Sequence, residues 1–238
     1  VAVHVEAIRP ETRVLVIPHV DNMIGLRHPM KEIASAARAR GVEFILVDGA
    51  QSVGMIPVDL SDAGVDAYAM SPHKWLQSPK GLGLFYVSEA VRPQLPRMWH
   101  KTSERGMDGT ARDYEDYSTR AWPAVVAFGD ALDFQDALGM TEKARRYEAL
   151  WHRVRDRVAA EPTLEWHSPN DWELSSVIMA VSRTGGAAPE MGSALFGSMG
   201  GVVRAFGGGL NSLRISPNLM TSEDELDAFL TGMVAHGP

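Results

Sequence analysis

Short apolar runs and one amphipathic segment alternate in the first part of the chain. The runs Arg13–Pro18 and Glu43–Asp48 are rich in β-branched residues, and Pro29–Arg40 between them has apolar residues at helical spacing. Two further apolar runs follow, Ala67–Ser71 and Leu82–Val87. This order predicts a βαβ unit that continues into two more strands, that is, an α/β domain with a mainly parallel sheet.

The pattern changes after residue 122. Val125–Ala137 and Thr141–Ala160 have the spacing of long helices, and Thr141 is the predicted N-cap of the second one. Shorter elements follow, and we predict strands at Ser176–Val181, Val202–Phe206 and Ser212–Ser216, a helix that begins near Pro189 and a last helix at Ser222–Val234. We therefore predict two domains, a large α/β domain in residues 1–122 and a small α+β domain in residues 123–238.

Composition narrows the classes of function. A chain of 238 residues with 45% hydrophobic residues can bury a core, and a net charge of −7 argues against binding to nucleic acid or to an anionic membrane. We find neither a membrane-spanning apolar run nor a signal-peptide layout, and we expect a cytoplasmic protein. The lack of cysteine excludes a thiol nucleophile from these residues, and the scattered histidines predict no metal site.

Polar residues follow two of the predicted strands at the point where each strand ends. Asp48-Gly-Ala-Gln51 follows one strand, and Ser71-Pro-His73-Lys74 follows the next. In an open α/β sheet, ligands bind beyond the carboxyl ends of the strands. A lysine buried there can lose its proton and form an imine, and a nearby acid can protonate a pyridine nitrogen. Each feature alone is common, because a strand-terminal Asp usually shapes a turn.

The spacing between these residues is more specific than any one of them alone. The segment from Val47 to Gly83, VDGAQSVGMIPVDLSDAGVDAYAMSPHKWLQSPKGLG, closely resembles the cofactor segment of the class V aminotransferase family. That family includes isopenicillin N epimerases and cysteine desulfurases. The resemblance implies the fold of PLP-dependent transferases (fold type I, aspartate aminotransferase-like) and pyridoxal 5′-phosphate (PLP) as the cofactor.

The resemblance also implies a role for each matching residue of this segment. It makes Lys74 the Schiff-base residue and the catalytic acid and base. It makes Asp48 the partner of the pyridine nitrogen and Gln51 a hydrogen-bond donor toward the ring hydroxyl. Ser71 and His73 would hold the phosphate.

Three stretches outside this segment carry further resemblance. Pro18-His19-Val20-Asp21-Asn22-Met23-Ile24-Gly25 resembles the family's Asn-x-x-Gly stretch, with Pro18 in place of the usual Ser, and implies that Asn22 approaches the substrate or the ring. Gly109-Thr110 resembles a pair that reaches the phosphate in the neighbouring subunit, which implies a homodimer; the alternative is a Thr that caps a turn. Leu213-Arg214-Ile215-Ser216-Pro217 resembles the C-terminal signature, whose Arg binds the substrate α-carboxylate; the alternative is a surface ion pair.

The resemblance matches about the C-terminal three-fifths of such enzymes. Their N-terminal region supplies a phosphate-binding turn and an aromatic residue that stacks on the ring, and neither has a counterpart in this sequence. We therefore expect the large domain to be incomplete at its N-terminal side, with an unpaired sheet edge. We also expect this chain to be a fragment, one chain of a split protein or part of a longer one.

These observations predict a PLP-dependent enzyme that acts at the Cα of an amino acid through a Lys74 Schiff base, by epimerisation, transamination or elimination. The sequence as a whole most resembles isopenicillin N epimerase-like proteins. The lack of cysteine disfavours a desulfurase that needs a cysteine nucleophile. The alternative is a non-catalytic or split-subunit homologue that retains the fold for interaction. A nicotinamide-dependent enzyme lacks support, because no G-x-G-x-x-G motif follows a strand.

Overall fold

The chain forms two compact units. The computed structural model describes residues 1–96, 110–115 and 119–235. The first unit comprises Val1–His19 and His28–Ala137, and the second comprises Val20–Arg27 and Leu138–Pro238. Each unit has its own four-stranded sheet.

The first unit is built around a mixed sheet. Its elements up to residue 87 are α1 (Ala2–Ala7), β1 (Val14–Pro18), α2 (Met30–Ala39), β2 (Phe44–Asp48), β3 (Ala67–Met70) and β4 (Leu84–Val87). The strand order is β1-β2-β3-β4; β1, β2 and β3 are parallel, and β4 runs antiparallel to β3. The mainly parallel sheet is thereby confirmed. β4 reverses direction because no crossover helix returns the chain after β3.

Alternation along the strands decides which face of this sheet is covered. Ile45 and Val47 are buried in one cluster with Ile33 of α2. On β1, Val14 and Val16 point to the other face and remain 54% and 63% exposed. Among the residues that the structure describes, the α2 side therefore carries the apolar core of the sheet.

A long helix, α3 (Trp122–Leu138), ends the first unit. It begins three residues before the predicted start, because Pro123 stands at the second helical position, where its missing N–H needs no partner. Near its other end, Gln135 is buried and donates from Nε2 to Leu76 O (3.1 Å) and to Gln77 Oε1 (3.2 Å). The helix thus holds the segment that follows Lys74.

The second unit is an antiparallel sheet with helices. Its elements are α4 (Met140–Ala159), β5 (Leu164–Trp166), β6 (Met179–Arg183), α5 (Ala188–Met199), β7 (Arg204–Phe206), β8 (Ser212–Ile215) and α6 (Glu223–Ala235). The strand order is β5-β6-β8-β7, and all neighbours are antiparallel. The predicted α+β character is confirmed, and β5 is an additional strand.

Several predicted boundaries in this unit are wrong, among them the start of β7, which is Arg204 and not Val202. The N-cap of α4 is Gly139, with φ of 75°, and Thr141 already lies inside the first turn. Glycine adopts this left-handed conformation at little cost, so the chain turns there. β6 begins at Met179 and not at Ser176, since the Ser176 hydroxyl donates to Gly25 O at 3.0 Å.

Gly25 fixes the Val20–Arg27 segment on the second unit. Its φ is +70°, and a Cβ placed on it would lie 1.9 Å from Ile178 O. Val20 and Arg27 form an isolated antiparallel bridge, so the segment is a narrow turn. Only glycine allows this approach of backbone to backbone.

Within residues 1–96, 110–115 and 119–235, no helix combines the length and the apolar character that a membrane crossing requires.

Candidate active site

The turn after β2 presents Asp48 at the carboxyl edge of the first sheet. Asp48 lies opposite Ala69 in the parallel register, and Gly49 N donates to Ala69 O at 2.7 Å. The exposed Asp48 carboxylate accepts a hydrogen bond from Ala50 N at 2.9 Å through Oδ1. The turn that Asp48 begins therefore orients its own carboxylate.

A buried hydrogen-bonded chain lies beneath this turn. The Tyr68 hydroxyl is 2.7 Å from His19 Nδ1 and 2.5 Å from Ser52 Oγ, and Ser52 Oγ donates to Gly49 O at 3.0 Å. Because Ser52 has a single proton to donate, Tyr68 donates to Ser52, and His19 donates to Tyr68. The chain ends on the backbone next to Asp48.

The charge state of Tyr68 suits this arrangement. Burial raises the pKa of Tyr68 to about 12, the Ser52 hydrogen bond opposes that shift, and the negative charge of Asp48 adds to it. The phenol therefore keeps its proton at neutral pH and remains a donor.

Gly49 lets the Tyr68 ring support the turn. A Cβ at position 49 would lie 1.8 Å from Tyr68 Cε1, far inside van der Waals contact. The ring is completely buried. Tyr68 thus fills the space directly under the backbone that carries Asp48.

The turn after β3 presents Ser71, His73 and Lys74. Lys74 N donates to Ser71 O at 3.1 Å, and Ser78 N donates to Pro72 O at 3.2 Å, which makes the turn compact. Ser71 and Lys74 are half-buried, and His73 is exposed. Because β2 and β3 are parallel neighbours, this turn and the Asp48 turn lie at the same edge of the sheet.

Trp75 connects the two turns. Its indole Nε1 donates to Gln51 Oε1 at 2.9 Å. A Cβ on Gly54 would lie 2.7 Å from the Trp75 carbonyl carbon, so the backbones are in close contact. Since the Gln51 oxygen faces the indole, the amide presents its NH₂ group elsewhere as a donor.

The polar groups of these turns suit PLP. The cofactor needs an acid at its pyridine nitrogen, a donor at its ring hydroxyl, an amine at its aldehyde and donors at its phosphate. The two turns offer a carboxylate, an oriented amide, a lysine amine, a hydroxyl and an imidazole. These belong to Asp48, Gln51, Lys74, Ser71 and His73.

The second unit brings Asn22 and Arg214 together. Arg214 Nη1 donates to Asn22 O at 3.0 Å, so the contact uses the backbone carbonyl of the exposed Asn22. Asp21 Oδ1 accepts from Met23 N (2.9 Å) and Ile24 N (2.7 Å), which shapes the turn. Burial lowers the pKa of Arg214, and the positive charge of Arg204 lowers it further.

The structure describes Thr110 of the predicted Gly109-Thr110 pair. Thr110 is exposed, and its carbonyl accepts from Asp113 N at 3.1 Å at the start of a short 3-10 turn (Ala111–Tyr114). Gly109 lies outside the described residues. In residues 1–96, 110–115 and 119–235, no group of three or more histidine and acidic side chains could hold a metal ion.

Sequence reasoning missed the residues that support the turns. His19 and Trp75 lie within the stretches that resemble the family but have no predicted role, and Ser52 and Tyr68 stand in segments with the pattern of an ordinary turn and strand. A tyrosine in an apolar strand next to an Asp-Gly turn was the one available signal. Nothing local to Tyr68 indicates that its hydroxyl reaches both His19 and Ser52.

The comparisons with known proteins agree with this architecture. The family model "Aminotransferase class-V" matches residues 3–228. A cysteine desulfurase of Escherichia coli O127:H6 (strain E2348/69 / EPEC) is 31% identical over 170 residues, which are 68% of this chain and 41% of that protein. The chain belongs to the class V aminotransferase family.

Solved structures show the same fold. The cystine C-S lyase C-DES, in complex with its product cysteine persulfide, matches with a TM-score of 0.87 at 20% sequence identity. The match covers 100% of this chain and 65% of the C-DES chain. A C-DES variant with glycine covalently linked to the PLP cofactor matches with a TM-score of 0.85 at 21% identity, over 99% and 64% of the two chains. They confirm the expected fold type I.

The chain spans only part of its relatives. It covers 41% of the length of the curated desulfurase and 65% of the C-DES chain. The expectation that the sequence matches only part of such enzymes is thereby confirmed.

Proposed function

We propose that this chain belongs to a PLP-dependent enzyme that acts at the Cα of an amino acid, with Lys74 as the residue that holds the cofactor. One observation carries the proposal: the Asp48 turn and the Lys74 turn follow adjacent parallel strands and are joined by the Trp75–Gln51 hydrogen bond. An acid and an amine at one sheet edge suit a pyridine aldehyde. The C-DES structure with linked PLP supports the cofactor.

Each candidate site residue of the first unit has a proposed role. PLP, when bound, supplies an electron sink for the electrons of the Cα–H bond. Asp48 holds the proton of the pyridine nitrogen, and the amide NH₂ of Gln51 donates to the ring hydroxyl. Ser71 and His73 bind the phosphate. The Lys74 amine would hold the cofactor and would remove or return the proton at the substrate Cα.

Three further residues complete the proposal. Arg214 binds the substrate α-carboxylate through its planar guanidinium, and Asn22 lies beside it at the substrate. In a homodimer, Thr110 binds the cofactor phosphate of the partner's site.

Elimination is the reaction that the relatives favour. They include cysteine desulfurases and a cystine C-S lyase, and none of those named above is an epimerase. The sequence of 238 residues has no cysteine, so these residues supply no thiol to accept sulfur. We therefore propose a lyase, with transamination and epimerisation as the other outcomes of substrate screening. Released keto acid, transferred amine and inverted Cα distinguish the three.

The first test is covalent trapping of PLP. Borohydride reduction of the protein with PLP should place a pyridoxyl group on the peptide that contains Lys74, as measured by mass spectrometry. Lys74→Ala should abolish both the labelled peptide and the visible absorption band. Lys80→Ala, which changes an exposed lysine of the same segment, should preserve both.

Two results would count against the proposal. A pyridoxyl group on another lysine would remove Lys74 from its role. No label under any condition would favour the alternative, a non-catalytic homologue that retains the fold for interaction.

A further inference from the structure

Two arginines stand directly opposite each other on the sheet of the second unit. In the antiparallel pair β7–β8, Arg204 is the register partner of Arg214. Opposed residues of such a pair have Cα atoms on the order of 5 Å apart and point to the same face. Like charges in this position destabilise a sheet, so the pairing requires a physical reason.

The face that carries both arginines is the one away from α5. A Cβ on Gly192 of α5 would lie 3.5 Å from Leu213 Cδ2 and 3.6 Å from the Ala205 Cβ, which places the helix over those two residues. Leu213 and Ala205 alternate with Arg214 and Arg204 along their strands. The guanidinium groups therefore project from the opposite face.

Neither arginine is neutralised within the part of the chain that the structure describes. No carboxylate there forms an ion pair with Arg204 or Arg214; Arg214 donates to Asn22 O, and the Arg204 Cζ lies 6.0 Å from the centre of the Phe206 ring. Arg214 is also half-buried. A desolvated cation beside a second cation is costly unless an anion joins them.

Two arginines of the same unit, Arg146 and Arg153, have acidic partners. Arg153 bonds both carboxylate oxygens of Asp227 (2.8 and 2.6 Å) and also pairs with Glu223, and Arg146 pairs with Glu223 as well. These two arginines, with about a third of each side chain exposed, are neutralised by acids of the same unit. Arg204 and Arg214 differ from them in that two cations stand opposite each other with no acid between them.

We infer that Arg204 and Arg214 together bind two carboxylates of one molecule, so that the substrate is an amino acid whose side chain carries a second carboxylate. The inference rests on the proposed function, in which Arg214 takes the α-carboxylate. Arg204 then takes the distal carboxylate, and a guanidinium fork suits each planar anion. Arg204 is thereby a specificity-determining residue.

Calorimetric titration with unreactive ligands tests this pairing without turnover. Succinate carries two carboxylates and no amine, and butyrate carries one carboxylate on a chain of equal length. At constant ionic strength the protein should bind succinate about tenfold more tightly than butyrate, the effect of one added charge-assisted contact. Equal affinities would overturn the inference.

Variants assign the preference to Arg204. Arg204→Gln should bring the succinate affinity down to that of butyrate, and Arg204→Lys should retain part of the difference because it keeps the charge. Arg145→Gln on α4 is the matched control, since Arg145 is exposed and pairs with Glu142, and its preference should equal that of the wild type. A preference that survives in Arg204→Gln would refute the assignment.

Two further measurements distinguish the ways in which this inference or the proposed function could fail. Sulfate that binds as tightly as succinate would show a site for one dianion and overturn the two-carboxylate reading. Trapping of PLP on Lys74 without a succinate preference would leave the proposed function standing and end this inference. A succinate preference without trapping would show a two-carboxylate site at Arg204 and Arg214, but it would end the proposed function and with it the role of Arg204 in substrate choice.

Discussion

The two groups of candidate site residues are supported in different ways. Beneath the Asp48 turn, Tyr68, Ser52 and His19 fill the space and satisfy one another's hydrogen bonds. On the sheet of the second unit, Arg204 and Arg214 stand side by side with no acidic partner among the described residues. Close packing fixes the geometry of the Asp48 turn whether or not a ligand is present. The two arginines, in contrast, would be neutralised only when an anionic ligand binds.

This difference shows how the candidate site residues of each unit affect the stability of its fold. In the first unit the residues around the candidate cofactor turns contribute to the folded core. In the second unit the opposed arginines add like-charge repulsion to the sheet, and we propose that they serve binding. Three predictions test this difference, in order from the largest expected effect on stability to the smallest.

Gly49→Ala should cause the largest loss. The new Cβ would lie 1.8 Å from Tyr68 Cε1, and the buried ring has no space to move. We expect the free energy of unfolding to fall by roughly 3 kcal/mol, as measured by urea denaturation.

Gly129→Ala provides the control for that substitution. Gly129 lies in α3, and a Cβ there would meet nothing within 4 Å. Alanine should therefore stabilise the helix by about 0.5–1 kcal/mol. Wild-type stability in Gly49→Ala would show that packing beneath the Asp48 turn is not as tight as the contact distance requires.

Alkaline pH should destabilise both units in the same window. Burial is the main cause that raises the pKa of Tyr68 and the pKa of Tyr147 to about 12, from a usual value near 10. Below pH 10 both phenols stay protonated in folded and unfolded chains. Between pH 10 and about 12 unfolding releases their protons, so each should lower the free energy of unfolding by up to ~1.4 kcal/mol per pH unit.

Phenylalanine variants isolate the two contributions. The stability difference between wild type and Tyr68→Phe should shrink from pH 10 upward, and Tyr147→Phe should behave alike. At neutral pH, Tyr68→Phe should cost about 1–2 kcal/mol, since it removes the hydroxyl between His19 and Ser52. A stability difference that stays constant with pH would place the unfolded and folded pKa of that tyrosine together.

Arg204→Gln should have the smallest effect on stability, and in the opposite direction. Removal of one of two opposed like charges should raise the free energy of unfolding by about 0.2–0.5 kcal/mol at low salt. Arg153→Gln should instead lower it, because Arg153 pairs with Asp227 and Glu223. A loss of stability in Arg204→Gln would mean that the folded protein itself neutralises this charge.

Local pattern was enough for the elements of the first sheet. Val14–Pro18, Met30–Ala39 and Phe44–Asp48 lie within one residue of their predicted bounds at nearly every end, since alternation and helical spacing arise from neighbours along the chain. The adjacency of the Asp48 and Lys74 turns could also be predicted, because parallel strands end at one edge. The antiparallel direction of β4 could not, since it depends on the path of the connection.

The sequence by itself thus determined the α/β and α+β classes and the family, and it provided the candidate residues for PLP chemistry. Only the tertiary structure decided that Tyr68 reaches His19 and Ser52, that Trp75 orients Gln51, and that Arg204 faces Arg214. Each of these pairs joins residues from different strands or turns, and strand register and turn packing decide which side chains meet. Register depends on the whole sheet, so no local pattern contains it.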